Sequence, residues 1–255
     1  KKGLVVTLED SVFRETRNGR FSNSIDDWSV AKIRRMGADA VKVLAWYRRD
    51  AGQEVLAAQR EYVLRVGEEC TKHDILFLFE LLVYPLTKDK TQTKEYIEMK
   101  NKKADHVLGS VEEFSKKKYG VDVFKLESPV NANQITEDDL SSFKEMGDLA
   151  GRPWVMLSAG AGKNDFKNVL RLAFQAGCSG FLAGRAIWLD AFSHYPDWEE
   201  IDSQLKGSSA NYLSEISCFA EKQALPWNKH KCYSKEGSFF PYKTSEFRHV
   251  YKESK

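Results

Sequence analysis

Lys125 stands inside Val121-Asp122-Val123-Phe124-Lys125-Leu126-Glu127, an apolar run that reads as a β-strand. An ammonium group removed from water is strongly disfavoured, so a lysine in such a place is paired, neutralised or used. A lysine held partly neutral is a nucleophile able to form a Schiff base with a carbonyl compound. Side chains two apart share a strand face, so Lys125 and Glu127 are expected to point one way and Phe124 and Leu126 the other. The plain alternative is a buried Lys–Glu ion pair without chemistry.

Two more charged residues interrupt apolar runs. Glu80 lies in Phe77-Leu78-Phe79-Glu80-Leu81-Leu82, the most apolar stretch of the chain. Burial raises a carboxyl pKa unless a cation pairs with it, which suits a proton shuttle; simple charge balance for a lysine is the rival reading. Lys42 lies in Val41-Lys42-Val43-Leu44. Two lysines close together are expected to depress each other's pKa and favour the free amine. An anion cup is expected from two small-residue segments: Leu157-Ser158-Ala159-Gly160-Ala161-Gly162 and Phe181-Leu182-Ala183-Gly184-Arg185-Ala186. Backbone N–H groups of the small residues ending these strands can approach a phosphate, and Arg185 can add a bidentate contact.

The elements that must position these groups alternate in type. Strand candidates cover 3–9, 39–46, 75–82, 121–127, 153–159 and 179–184. Between them apolar residues recur three or four apart, as in Ala104, Val107, Leu108, Val111 and Phe114, or Phe166, Val169, Leu170, Ala173 and Phe174. Leu56, Gln59, Val63 and Val66 form another such stripe, and Thr136 before three acidic residues marks a helix start. Gly37 and Gly177 are placed as helix-ending glycines. This alternation argues for a parallel sheet, doubly wound or closed into a barrel. No GxGxxG follows the first strand, so the (β/α)8 TIM barrel is favoured, with active groups at the C-terminal ends of its strands. Residues 1–195 are assigned to the barrel units. Residues 196–255, with an amphipathic helix around 199–224 and an irregular tail, are expected to pack on the same domain. The lysine-rich segment 85–103 reads as a solvated loop with a helical stretch.

Composition narrows the function classes. The 255 residues are 42% hydrophobic and 30% charged with a net charge of +2, which gives no basic face for nucleic acid. Cys70, Cys178, Cys218 and Cys232 show no paired spacing and read as reduced thiols. No apolar run approaches the ~20 residues of a membrane span, and no signal peptide is read; a cytoplasmic protein is expected. The five histidines show neither HxH nor HExxH spacing, so no metal or other cofactor is called for. Ser158 lacks the GxSxG setting of a hydrolase nucleophile.

The stretches GADAVKVLAWY (37–47), YVLRVGEECTKHDILFLFELLVY (62–84), YGVDVFKLESPVN (119–131), LSAG (157–160) and AGRAIW (183–188) resemble, in order, the class I tagatose-1,6-bisphosphate aldolases. The resemblance implies a TIM barrel whose Schiff-base lysine is Lys125, whose acid/base group is Glu80 and whose second site lysine is Lys42. It implies that Ser158, Gly160, Gly184 and Arg185 bind phosphate; Glu127, two residues on along the same strand face, is expected to tune charge around the lysine. It also implies that the chain starts at the third of eight strands, since the family's first two have no counterpart. WYRRD (46–50), PWVMLSAG (153–160) and SGFLAGRAIW (179–188) are similar to the related sulfofructose-phosphate aldolases, which offers Arg48 or Arg49 as a second anion contact. The expectation is a metal-free aldolase acting on a phosphorylated ketose. A sulfofructose-1-phosphate aldolase is the alternative, and a non-catalytic barrel-type binding or regulatory protein is the rival of another class. The residues leave room for a homo-oligomer.

Overall fold

Every second residue of 40–46 is apolar and small or β-branched, and the same parity governs the strands that follow. In the computed structural model, which describes residues 3–86 and 100–233, this pattern builds a six-stranded parallel sheet. Its strands are β1 (Val5–Thr7), β4 (Ala40–Trp46), β5 (Leu76–Leu82), β6 (Val123–Leu126), β7 (Trp154–Leu157) and β8 (Phe181–Leu182), adjacent in that order. Between β1 and β4 lies a hairpin of β2 (Arg14–Thr16) and β3 (Gly19–Phe21), paired antiparallel, that the strand candidates did not include. Of the lysine-rich segment 85–103, residues 87–99 lie outside the described residues and 100–103 begin the helix Lys100–Phe114; the end of the tail, 234–255, also lies outside them.

The helices cover one face of the sheet. They are α1 (Val30–Arg35), α2 (Gln53–Lys72), α3 (Lys100–Phe114), α4 (Leu140–Ala150), α5 (Lys163–Gln175) and α6 (Arg185–Phe192). Val41, Val43 and Ala45 are fully buried under them, as are Phe77, Phe79 and Phe124. The other parity, with Lys42, Leu44 and Trp46 in β4, is only partly buried. A doubly wound sheet would bury both faces under helices. Here the sheet curls into a partial barrel, with β1 and β8 as its two edges among the described residues. Phe79, Phe114 and Tyr119 stack in series at 5.1 and 4.9 Å between ring centroids, tying α3 to the back of β5.

The glycine positions follow the expected pattern. Gly37 and Gly177 have φ of 88° and 87°, the left-handed conformation that closes a helix at low cost. Thr136 and Asp139 form a reciprocal capping box at the turn that leads into α4. The amphipathic stretch around 199–224 forms α7 (Trp198–Gln204), a π-helical turn (Leu205–Ser209) and α8 (Ala210–Gln223). α8 lies on α5, where Phe174 and Phe219 meet edge to face at 5.4 Å and the Tyr212 hydroxyl donates to the Lys163 carbonyl at 2.8 Å. No helix of the described residues is long and apolar enough to cross a membrane.

Candidate active site

Strand register places the charged residues together. Leu44, Glu80, Lys125 and Val155 are mutual register partners across β4, β5, β6 and β7, so Glu80 and Lys125 stand side by side on the concave face. Lys125 Nζ lies 2.9 Å from Glu80 Oε1, and Lys42 Nζ lies 3.0 Å from Glu80 Oε2. Lys42 also pairs with Glu9, whose other carboxylate oxygen accepts a hydrogen bond from the Thr7 hydroxyl at 2.5 Å. The result is a row of alternating charge, Glu9–Lys42–Glu80–Lys125, crossing four strands.

Two electrostatic expectations change. Burial pushes the Lys42 ammonium down, but Glu80 and then Glu9 push it up further, and its pKa ends above the ordinary lysine value. Lys42 is therefore a held ammonium, not an amine lowered by a neighbouring lysine. The two carboxylates outweigh both burial and like charge. Glu127 does not pair with Lys125 either. Its Oε1 accepts the Val83 N–H at 2.6 Å and its Oε2 lies 3.6 Å from Lys103 Nζ on α3. Burial raises the Glu127 pKa, with Lys103 and the Val83 hydrogen bond opposing.

The two small-residue segments meet at the C-terminal ends of β7 and β8. Ala159 and Gly160 have φ of 48° and 80°, two successive left-handed residues that turn the backbone back toward α5. The Ala161 N–H donates to the Ser158 carbonyl at 2.8 Å to close the turn. A Cβ on Gly160 would lie 3.8 Å from Arg185 Nη2, so the exposed guanidinium faces the turn. Gly162 precedes α5 and Gly184 precedes α6, which directs the free N–H groups of both helix starts to this corner. The arrangement gathers backbone N–H groups and one guanidinium at a single corner, one strand and more to the side of Lys125, a geometry that can hold an oxyanion.

Arg48 and Arg49 do not reach this site. Arg48 is fully buried, and its guanidinium binds both oxygens of Asp50 at 2.8 Å, the Tyr84 carbonyl at 2.8 Å and His106 Nε2 at 3.3 Å. Arg49 lies across α3, paired with Glu112 and beside Gly109. The chain after β4 turns both side chains toward α3, where His106 and Glu112 meet them. Sequence reasoning did not single out Glu9, although a carboxylate at the end of Val5-Val6-Thr7-Leu8-Glu9 stands at the C-terminal end of its strand. Nor did it single out Lys103, whose approach to Glu127 is a long-range contact.

Comparison with known proteins matches this geometry to a family. Residues 1–190 match the family described as DeoC/LacD family aldolase. The chain is 32% identical to a tagatose 1,6-diphosphate aldolase of Listeria monocytogenes (serotype 4b, strain CLIP80459), over 93% of this chain and 72% of that protein. It is 34% identical to tagatose 1,6-diphosphate aldolase 1 of Enterococcus faecalis (strain ATCC 700802 / V583), over 74% of this chain and 61% of that protein. Among solved structures it is similar in fold to an archaeal fructose 1,6-bisphosphate aldolase, with a TM-score of 0.54 at 16% identity, covering 80% of this chain and 70% of that one. A fructose-bisphosphate aldolase from Plasmodium falciparum gives a TM-score of 0.54 at 12% identity, over 86% and 69%. With one family profile spanning the whole sheet and relatives at this identity over most of its length, the chain belongs to the DeoC/LacD family of aldolases.

Proposed function

We propose that the protein is a Schiff-base aldolase that cleaves D-tagatose 1,6-bisphosphate reversibly to dihydroxyacetone phosphate and glyceraldehyde 3-phosphate. The observation that carries this reading is Lys125 Nζ held 2.9 Å from Glu80 on the concave face, beside an oxyanion cup. The names of the Listeria and Enterococcus relatives support the choice of ketose.

Glu80 accepts a proton from the Lys125 ammonium, and the free amine adds to the C2 ketone. Loss of water gives an iminium, which withdraws electrons from C3. Glu80 returns its proton during that dehydration and is again a base. It then takes the C4 hydroxyl proton, directly or through a water, as the C3–C4 bond breaks and glyceraldehyde 3-phosphate leaves. The electron pair of that bond is held as an enamine. Protonation at C3 and hydrolysis release dihydroxyacetone phosphate and restore Lys125. Lys42, kept as an ammonium beside Glu80, stabilises negative charge developing at the C4 oxygen. The C1 phosphate occupies the cup of Ser158, Gly160, Gly184 and Arg185. The iminium serves as the electron sink, so the proposed route needs no metal.

Borohydride reduction in the presence of dihydroxyacetone phosphate tests the reading. Mass spectrometry is expected to find the adduct on Lys125 alone, with turnover and adduct both lost in Lys125→Ala. A binding protein would give no adduct, and an adduct on another lysine or full activity in the variant would overturn the assignment.

A further inference from the structure

We propose that Arg20, carried on the β2–β3 hairpin, binds the oxyanion at the far end of the substrate from the Ser158–Arg185 cup. The inference rests on the Schiff-base reading above and names a contact that reading lacks. Three observations place this guanidinium. It lies over the rings of Phe13, Trp46 and Tyr84, with its central carbon 4.4, 4.7 and 5.0 Å from their centroids. Trp46 ends β4 on the same face as Lys42 and Leu44, and Leu44 is level with Glu80, which is level with Lys125. Trp46 therefore stands two residues, about 7 Å, above the reacting amine toward the C-terminal mouth. β4 is also two strand spacings, about 10 Å, from β6, on the side away from β7 and β8. Lys125 thus has an oxyanion cup on one flank and Arg20 on the other, as a ketose charged at both ends requires.

The hairpin holds Arg20 in place by its backbone. The Arg20 N–H donates to the Tyr84 hydroxyl at 3.1 Å, and its carbonyl accepts from Gln59 Nε2 at 2.8 Å. Gly19 packs so closely on Tyr84 that a Cβ would fall 2.4 Å from its hydroxyl. Ring contacts shield the faces of the guanidinium and leave its edge, the side that makes paired hydrogen bonds to oxyanions. That edge already binds one oxyanion: Nε donates to the half-exposed carboxylate of Glu15 at 2.9 Å. Among the described residues neither terminal nitrogen has a hydrogen-bond partner. The side chain is 15% exposed, enough for a ligand to reach its edge and dry enough for the contact to count.

The chemistry selected is a tetrahedral oxyanion, phosphate or sulfonate, at C6. The test compares Arg20→Gln and Arg20→Lys with the parent on three substrates: a ketose 1,6-bisphosphate, the 1-phosphate carrying a C6 sulfonate, and the 1-phosphate with a free C6 hydroxyl. Arg20→Gln is expected to raise KM roughly 10- to 100-fold on whichever doubly charged ketose is the true substrate. kcat/KM on the singly charged ketose and the dihydroxyacetone phosphate adduct on Lys125 are expected to stay at parent levels. Arg20→Lys should recover only part of the affinity, having charge without the fork. The doubly charged substrate that loses more identifies the natural terminus. An equal loss on all three substrates would make Arg20 a purely structural pin and overturn the inference, as would no loss on either doubly charged one. Absence of the adduct in the parent protein would instead overturn the Schiff-base reading.

Discussion

At the scale of residues, the site is a balance of two carboxylates against two lysines. Glu80 touches both lysines and Lys42 both carboxylates, and it is Glu80 that adjoins Lys125. Glu80→Gln is expected to lower kcat by about 10²- to 10⁴-fold, the usual weight of a positioned acid/base group, with a smaller change in KM. The same substitution removes the largest influence holding Lys42 charged and moves its pKa back toward the ordinary value. Steady-state kinetics and the rate of borohydride trapping measure both steps, and an unchanged kcat would remove Glu80 from the mechanism. Lys125, Glu80 and Lys42 were legible because charge inside an apolar run is costly and therefore conspicuous. Arg48 and Arg49 are the opposite case. Nothing local distinguishes an arginine at a strand end that turns into the site from one that Asp50, a distant carbonyl and His106 draw behind it.

At the scale of elements, close backbone approaches fix where the strands begin. Gly67, in the last third of α2, faces the turn Lys117–Tyr119 that feeds β6, and a Cβ there would lie 2.0 Å from the Tyr119 carbonyl oxygen. Gly67→Ala gains up to about 1 kcal/mol of helix propensity. Backbone overlap outweighs that gain, and a net loss of about 1–3 kcal/mol is expected in urea unfolding. Because the turn leads directly to Lys125, activity should fall with it; an unchanged unfolding midpoint would contradict this packing. The six strands of the sheet were readable from alternation, while the β2–β3 hairpin was not. Arg14, Glu15, Arg17 and Arg20 give it the look of a polar loop, although Asn18-Gly19 is a turn signal that could have marked it. Its arginine meets Trp46 and Tyr84 only once the hairpin has folded over them.

At the scale of the molecule, the two faces of the sheet differ in what they cover. Phe79, behind the sheet, is wholly buried among Phe77, Phe114 and Phe124. On the concave face Leu76 and Leu182 remain 39% and 40% exposed. Phe79→Ala is expected to cost about 3–5 kcal/mol. Leu76→Gln and Leu182→Gln are expected to stay within about 0.5 kcal/mol of the parent, as exposed positions do. Urea unfolding of the three variants checks the contrast. Comparable losses at all three would mean that both faces are core.

Local order along the chain determined the parallel strand–helix alternation, the parity that sets Lys125 apart from Phe124 and Leu126, and the small residues at the ends of β7 and β8. These follow from periodicity and from the cost of burying charge, which neighbouring residues alone reveal. Only the tertiary structure decided which charges are partners: Glu80 for Lys125, Glu9 for Lys42, Lys103 for Glu127. Partnership depends on register between strands and on helices arriving from far along the chain, and no spacing within one segment encodes it.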